Sequence, residues 1–308
     1  MTVRHFFLAA IITPLVSACV GATEPSSNHS SPPAREHKSV LFIGNSFTFG
    51  AHSAARVYRA GTINDLNGDG IGGVPALFKI LADEAGYDYE VSLETSPGKS
   101  LEWHWDNKRS VVDRSWDYVV MQEYSVLDRQ NPGDPSSLTE YSGKFSNLFL
   151  NRNPSVQISL TATWGRPDLV YRGSGRWSGS SIVSMAQDLR DGYDRAKLDN
   201  SAIAKINPVG EAFNCAIEAG YADANPYDGI AFDHIDLWAY DHYHASEAGY
   251  YLETLVVFGS ITGYDPRDFG PEERGADELG LSDAEAVQLQ KSAWAALNNI
   301  DCRSLTKE

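Results

Sequence analysis

The chain has 308 residues, 42% of them hydrophobic and 21% charged, with 41 acidic against 25 basic side chains and a net charge of −16. That composition can bury a core and fits one large α/β domain, and it excludes a disordered or collagenous chain. The acidity argues against a surface that tracks nucleic-acid phosphates, or one that docks unaided on anionic lipid.

Arg4 and His5 precede the apolar run Phe6 to Val16, which is shorter than the roughly 18 residues of a membrane span. With Ser17 and Ala18 following, it reads as a signal peptide over residues 1–18. The tetrapeptide Val16-Ser17-Ala18-Cys19 resembles a bacterial lipobox, in which Cys19 is acylated and becomes the first mature residue; ordinary cleavage near Ala22 is the alternative. The expected product is an exported protein, anchored to the outer membrane through lipid on Cys19 or free in the periplasm. Loss of residues 1–18 removes one base, Arg4, and no acid, which takes the charge from −16 to −17. Residues 19–38 form a polar Ser/Pro-rich tether, and one domain is expected over 39–308.

Within that domain, short apolar runs at 39–44, 89–94, 117–122, 156–162 and 202–208 read as five strands. Between them lie helical patterns. Pro75 suits a helix start ahead of Leu77, Phe78 and Leu81, and Gly86 suits its stop. Ile182, Val183, Met185, Ala186, Leu189, Tyr193 and Ala196 form an apolar stripe at helical spacing. Ser282 and Glu285 make a capping-box pattern ahead of Val287, Leu289 and Trp294. Strands alternating with helices predict a parallel sheet covered on both faces. Cys215 and Cys302 either pair or remain buried thiols.

The first strand runs into Gly44-Asn45-Ser46-Phe47-Thr48, which sets Ser46 at the carboxyl edge of the sheet, where open α/β sheets bind ligands. Capping a helix is the other role open to it. Far downstream, Asp241-His242-Tyr243-His244 precedes an apolar helical run. A hydroxyl nucleophile needs an imidazole to take its proton, and the imidazole needs a carboxylate to hold its tautomer; Asp241 and His244, three apart, supply both. The spacing favours His244 over His242. His52, His104 and His234 have no partner legible in the sequence, and nothing matches a zinc spacing, so no metal or other cofactor is expected. Asp65-Leu66-Asn67-Gly68-Asp69-Gly70 looks like half of a calcium loop, but its twelfth position is Ala76, which favours a tight turn and leaves calcium open.

The order of these blocks resembles the SGNH/GDSL hydrolase family, whose first block is usually GDS and whose last is DxxH; the similarity spans residues 39–263. Asn45 stands where the family usually has aspartate. The resemblance implies a flavodoxin-like α/β/α fold around a five-stranded parallel sheet. It also implies a serine esterase with Ser46 as nucleophile, His244 as base and Asp241 orienting the imidazole. Two further blocks of the family supply oxyanion donors. Gly98, in Ser96-Pro97-Gly98-Lys99-Ser100, matches the glycine. Gln122 falls where the family has asparagine, as in a branch with a GNS first block.

Trp103, His104 and Trp105 follow the Gly98 block, and Trp164-Gly165-Arg166 follows the fourth strand, so the carboxyl edge would set them at the rim of a cleft. Trp164 and Arg166 are the expected substrate contacts, with loop packing equally open to the tryptophans. Residues 171–180 read as a mobile insertion beside the site. Export, acidity and rim aromatics point to removal of a short acyl group, such as acetyl, from a carbohydrate. A lipase or aryl-ester hydrolase, and a non-catalytic glycan-binding lipoprotein, are the alternatives. Nothing in the sequence fixes the oligomeric state.

Overall fold

The computed structural model describes residues 1–3, 5 and 36–305. Most of the expected signal peptide and tether, with Cys19, lies outside the described residues, but His37 and Lys38, expected at the end of the tether, already belong to the first strand. Residues 36–305 belong to one compact unit. Its strands are β1 (His37–Gly44), β2 (Asn64–Asp65), β3 (Asp88–Thr95), β4 (Tyr118–Met121), β5 (Gln157–Ala162) and β6 (Ile203–Pro208). All are parallel, in the order β2-β3-β1-β4-β5-β6. Val40, Leu41, Phe42 and Ile43 of β1 are all buried, as a strand must be when both faces of its sheet are covered.

The helices are α1 (Gly73–Glu84), α2 (Leu101–Val112), α3 (Ser136–Arg152), α4 (Pro167–Tyr171), α5 (Ile182–Asp199), α6 (Val209–Glu218), α7 (Glu247–Thr262), α8 (Arg274–Glu278) and α9 (Asp283–Asn298). α1, α7 and α9 pack together, as do α2, α3 and α5. The apolar stripe read from 182 onward is, apart from the half-buried Val183, the buried face of α5, and Ser282 with Glu285 caps α9 reciprocally. Among the described residues no helix is long and apolar enough to cross a membrane.

The expected fold is present, a parallel sheet flanked by helices, with six strands rather than five. The added strand, β2, is two residues long at the sheet edge, too short to show any alternation in sequence. It enters the turn considered for calcium. There Asp65 accepts the N–H of Asn67 through Oδ1 (3.0 Å) and that of Ile71 through Oδ2 (3.1 Å), so both carboxylate oxygens already close the turn. Residues 171–180 are not a loose insertion. Trp177 is buried and its indole N–H donates to Asp188 of α5 at 2.9 Å, while Arg176 pairs with the same carboxylate.

Two features of the sheet position the site. β1 is central, with the chain passing to β3 on one side and β4 on the other, which opens a crevice at the carboxyl end of β1. Cys215 of α6 and Cys302 are joined by a disulfide, with their Cα atoms 5.1 Å apart across 87 residues of sequence. Such a loop restricts the unfolded chain by about 4–5 kcal/mol in the entropy model. Replacing Cys302 by Ser is expected to lower the calorimetric unfolding midpoint by about 10 °C. Reductant should shift the parent protein equally and leave the variant unmoved.

Candidate active site

At the end of β1 the backbone turns sharply, and the turn is held from three directions. A β-carbon on Gly44 would strike the hydroxyl of Thr48, so only glycine fits there. Gln122, directly after β4, accepts the N–H of Asn45 and the hydroxyl of Thr48, each at 3.2 Å. Asn45 reaches the other way and donates to the carbonyls of Lys99 (3.0 Å) and Glu123 (3.2 Å). From α7, the buried hydroxyl of Tyr250 donates to the Ser46 carbonyl (3.2 Å) and the Ala51 carbonyl (3.1 Å). Ser46 caps no helix, because the segment after it is a run of turns.

The Asp/His segment forms a tight loop before α7. Asp241 accepts the backbone N–H groups of Tyr243 (3.1 Å) and His244 (3.0 Å) on Oδ1, while Oδ2 lies 2.6 Å from His244 Nδ1. Nε2 of His244 is thereby turned away from the carboxylate; it is buried and makes no hydrogen bond. Ser246 then caps α7 by accepting the N–H of Gly249. His242 adopts φ +53° and packs on Tyr227, ring centroids 4.3 Å apart.

Burial raises the Asp241 carboxyl, but the bonds from the His244 ring and from two backbone N–H groups outweigh it and hold the group below the ordinary carboxylate value. Burial lowers His244 more than Asp241 restores it, and His52 and Arg166 add to the lowering, so the imidazole titrates below its usual 6.5.

Ser46 and His244 line one cleft of about 860 Å³ together with Gly98, His52, Tyr124 and Arg129. Gly98 adopts φ +63°, a conformation suited to glycine. Among the described residues the backbone N–H groups of Ser46 and Gly98 meet no acceptor. Two free backbone donors beside a hydroxyl and a neutral imidazole can receive a developing oxyanion.

His52, which the sequence left without a partner, lies with Nε2 3.7 Å from Asp241 Oδ2 and its ring 4.7 Å from that of His244. Its Nδ1 meets the Tyr240 hydroxyl at 2.7 Å. His52, Asp241 and His244 are the one group among the described residues whose ligand atoms converge closely enough to hold a cation, within 4.8 Å of one another.

Three expected site residues do not line this cleft, although Arg166 edges a cavity of about 230 Å³ that shares Tyr124 and Arg129 with it. Gln122 is buried behind the serine turn, with its carbonyl oxygen bonded to that turn and its amide nitrogen to the Glu123 carbonyl, and does not line the cleft. Trp164 is fully buried, stacked between Phe47 (4.1 Å, 10°) and Phe213 (5.0 Å, 12°), and donates its indole N–H to the Tyr243 carbonyl at 3.2 Å. Arg166 is buried beneath Tyr243, its guanidinium 3.6 Å from the ring centre, and it binds Asp168 and the Ser125 hydroxyl. A strand end places a residue at the sheet edge without setting the direction of its side chain; here indole and guanidinium turn inward because partners wait there. Of the tryptophan cluster, His104 is buried on Glu94 and Trp105 packs on Phe145. Trp103 lines a second groove, of about 340 Å³, that shares Gly98, Tyr124 and Arg129 with the first.

Sequence reasoning missed Glu123. It is fully buried, accepts the N–H groups of Leu101 and Tyr124, and burial pushes its carboxyl up to about 8. Its signal was an acid directly after an apolar strand.

No protein-family model matches the chain, and no curated protein matches it by sequence. Solved structures do match its fold. A DUF4886 family protein from Bacteroides uniformis is 18% identical, with a TM-score of 0.58 over 88% of this chain and 100% of that one. A protein from Parabacteroides merdae described as a GDSL-like lipase is 14% identical, with a TM-score of 0.51 over 74% of this chain and 97% of that one. The fold is therefore that of the SGNH hydrolases.

The placement of Gln122 has a measurable consequence. Gln122→Ala would strand two buried donors, and is expected to cost about 2–5 kcal/mol of unfolding free energy. Loss of a pure oxyanion donor would instead lower turnover about 100-fold or more with little change in stability. Denaturant titration beside turnover at low temperature separates the two.

Proposed function

We propose that the protein is a serine carboxylic ester hydrolase in which Ser46, His244 and Asp241 form the catalytic relay. The observation that carries this reading is convergence. The Ser46 hydroxyl, a neutral imidazole already fixed by a carboxylate, and two unpaired backbone N–H groups share one cleft, although they come from opposite ends of the domain. His244 Nε2, free of other partners, takes the Ser46 proton as the oxygen attacks the ester carbonyl, and the imidazolium is held by Asp241. The tetrahedral oxyanion receives the N–H groups of Ser46 and Gly98, each worth about 3–4 kcal/mol of barrier. His244 returns the proton to the departing alcohol. Water then attacks the acyl-enzyme by the same route.

The substrate reading is a short acyl group, such as acetyl, on a carbohydrate. The cleft is open, with His52, Ser53, Arg56, Arg129 and Glu247 offering polar groups beside Phe49, Pro97, Tyr124 and Tyr243, a mixed lining that suits a sugar ring. The adjoining groove offers Trp103, with Lys99 over its ring, as a platform for a sugar. Export with a lipid on Cys19 belongs to the same proposal, and the Cys215–Cys302 bond supports an oxidising compartment.

Ser46→Ala is expected to abolish hydrolysis of p-nitrophenyl acetate and labelling by a fluorophosphonate while leaving the circular dichroism spectrum unchanged. Turnover retained in that variant would refute the assignment.

Because the base acts neutral and its pKa lies below 6.5, kcat/KM should rise to half its maximum below pH 6.5 and stay flat through neutral pH. Asp241→Asn should lower the plateau about 10³- to 10⁴-fold by releasing the imidazole tautomer.

A further inference from the structure

We propose that the cleft selects an ester carrying a carboxylate close to its reacting carbonyl, and that Arg56 and Arg129 bind this anion; the inference rests on the esterase reading above. The chain has 41 acids to 25 bases, yet two guanidinium groups edge the cleft that holds Ser46. Among the described residues eight arginines pair with Asp or Glu. Arg56 and Arg129, the two that line the cleft, are among the six that do not, with Arg109, Arg114, Arg172 and Arg195.

Arg56, on the turn that follows the serine loop, lies over the Phe49 ring at 5.5 Å. Arg129, in the loop after β4, lies over Tyr124 at 4.7 Å and donates to the Gly98 carbonyl at 3.1 Å. Each is held by a ring and keeps N–H groups for a ligand, since a guanidinium carries five. The bond to the Gly98 carbonyl sets one positive group one residue's breadth from a proposed oxyanion donor. Glu247, the sole acid among the lining residues, accepts the N–H of Ala54 on Oε1 at 2.8 Å and leaves the two guanidinium groups unpaired. Asp241 is likewise engaged, behind His244.

The two cations thus offer guanidinium N–H groups on the cleft wall of an otherwise acidic chain. That contrast favours a ligand with one or two carboxylates over a long polyanion, which the surrounding charge repels. Planar guanidinium groups match carboxylate geometry, and one such charge-assisted contact gives a preference of about tenfold.

The carboxylate could sit on the alcohol side, as in an acidic sugar, or on the acyl side. Two comparisons distinguish these sources. The Ser46→Ala protein is titrated calorimetrically with digalacturonate and with neutral digalactose. The parent enzyme is assayed on mono-4-nitrophenyl glutarate and on 4-nitrophenyl butyrate. A preference of about tenfold for the anion in either pair, falling as salt rises and removed in Arg56→Gln/Arg129→Gln, is the expected result. Equal responses to charged and neutral members in both pairs would overturn the inference, as would a preference that survives the double substitution. A parent enzyme that neither hydrolyses 4-nitrophenyl butyrate nor is labelled at Ser46 would instead sink the esterase reading. The titration reads anion binding without any turnover.

Discussion

A three-ring stack holds the site in register. Phe47 follows Ser46 directly, Trp164 follows β5, and Phe213 lies on α6; their rings lie nearly parallel, one against the next. The same Trp164 indole donates to the carbonyl of Tyr243, the residue before His244. One buried side chain therefore touches the serine turn through its face and the histidine loop through its edge. About 200 residues separate these two segments in sequence, and their relative position is fixed by packing that no local preference could supply. Tyr250 adds a second tie by donating from α7 to the Ser46 carbonyl.

Much of the fold was legible because its signals are local. Five apolar runs bounded by turn residues became five strands within a residue or two of the expected limits. Pro75, Gly86 and the Ser282–Glu285 pair punctuated helices as their backbone chemistry requires. The spacing of Asp241 and His244 was enough to suggest a carboxylate–imidazole contact, since three residues on a turn bring those side chains together.

What the sequence could not supply was direction. Trp164, Arg166 and Gln122 all sit at strand ends, where reasoning from topology aims side chains at a ligand. Each turns into the protein to satisfy a polar partner: the Tyr243 carbonyl, the Asp168 carboxylate and the Asn45 N–H. Buried polar groups seek such partners because an unmet donor or acceptor costs about 1–3 kcal/mol. The partners come from distant segments, so the preference was invisible in one dimension. Arg129 shows the converse. It follows β4 by several residues in a stretch with no strong pattern, yet it edges the cleft.

The disulfide acquires a second meaning in this setting. Cys215 lies two positions after Phe213 on α6, so the helix that supplies the outermost ring of the stack is also stapled to the last turn of the described chain. A polypeptide cut short before residue 302 would still encode Ser46, Asp241 and His244. It would have lost the clasp that binds its own tail to the wall behind them.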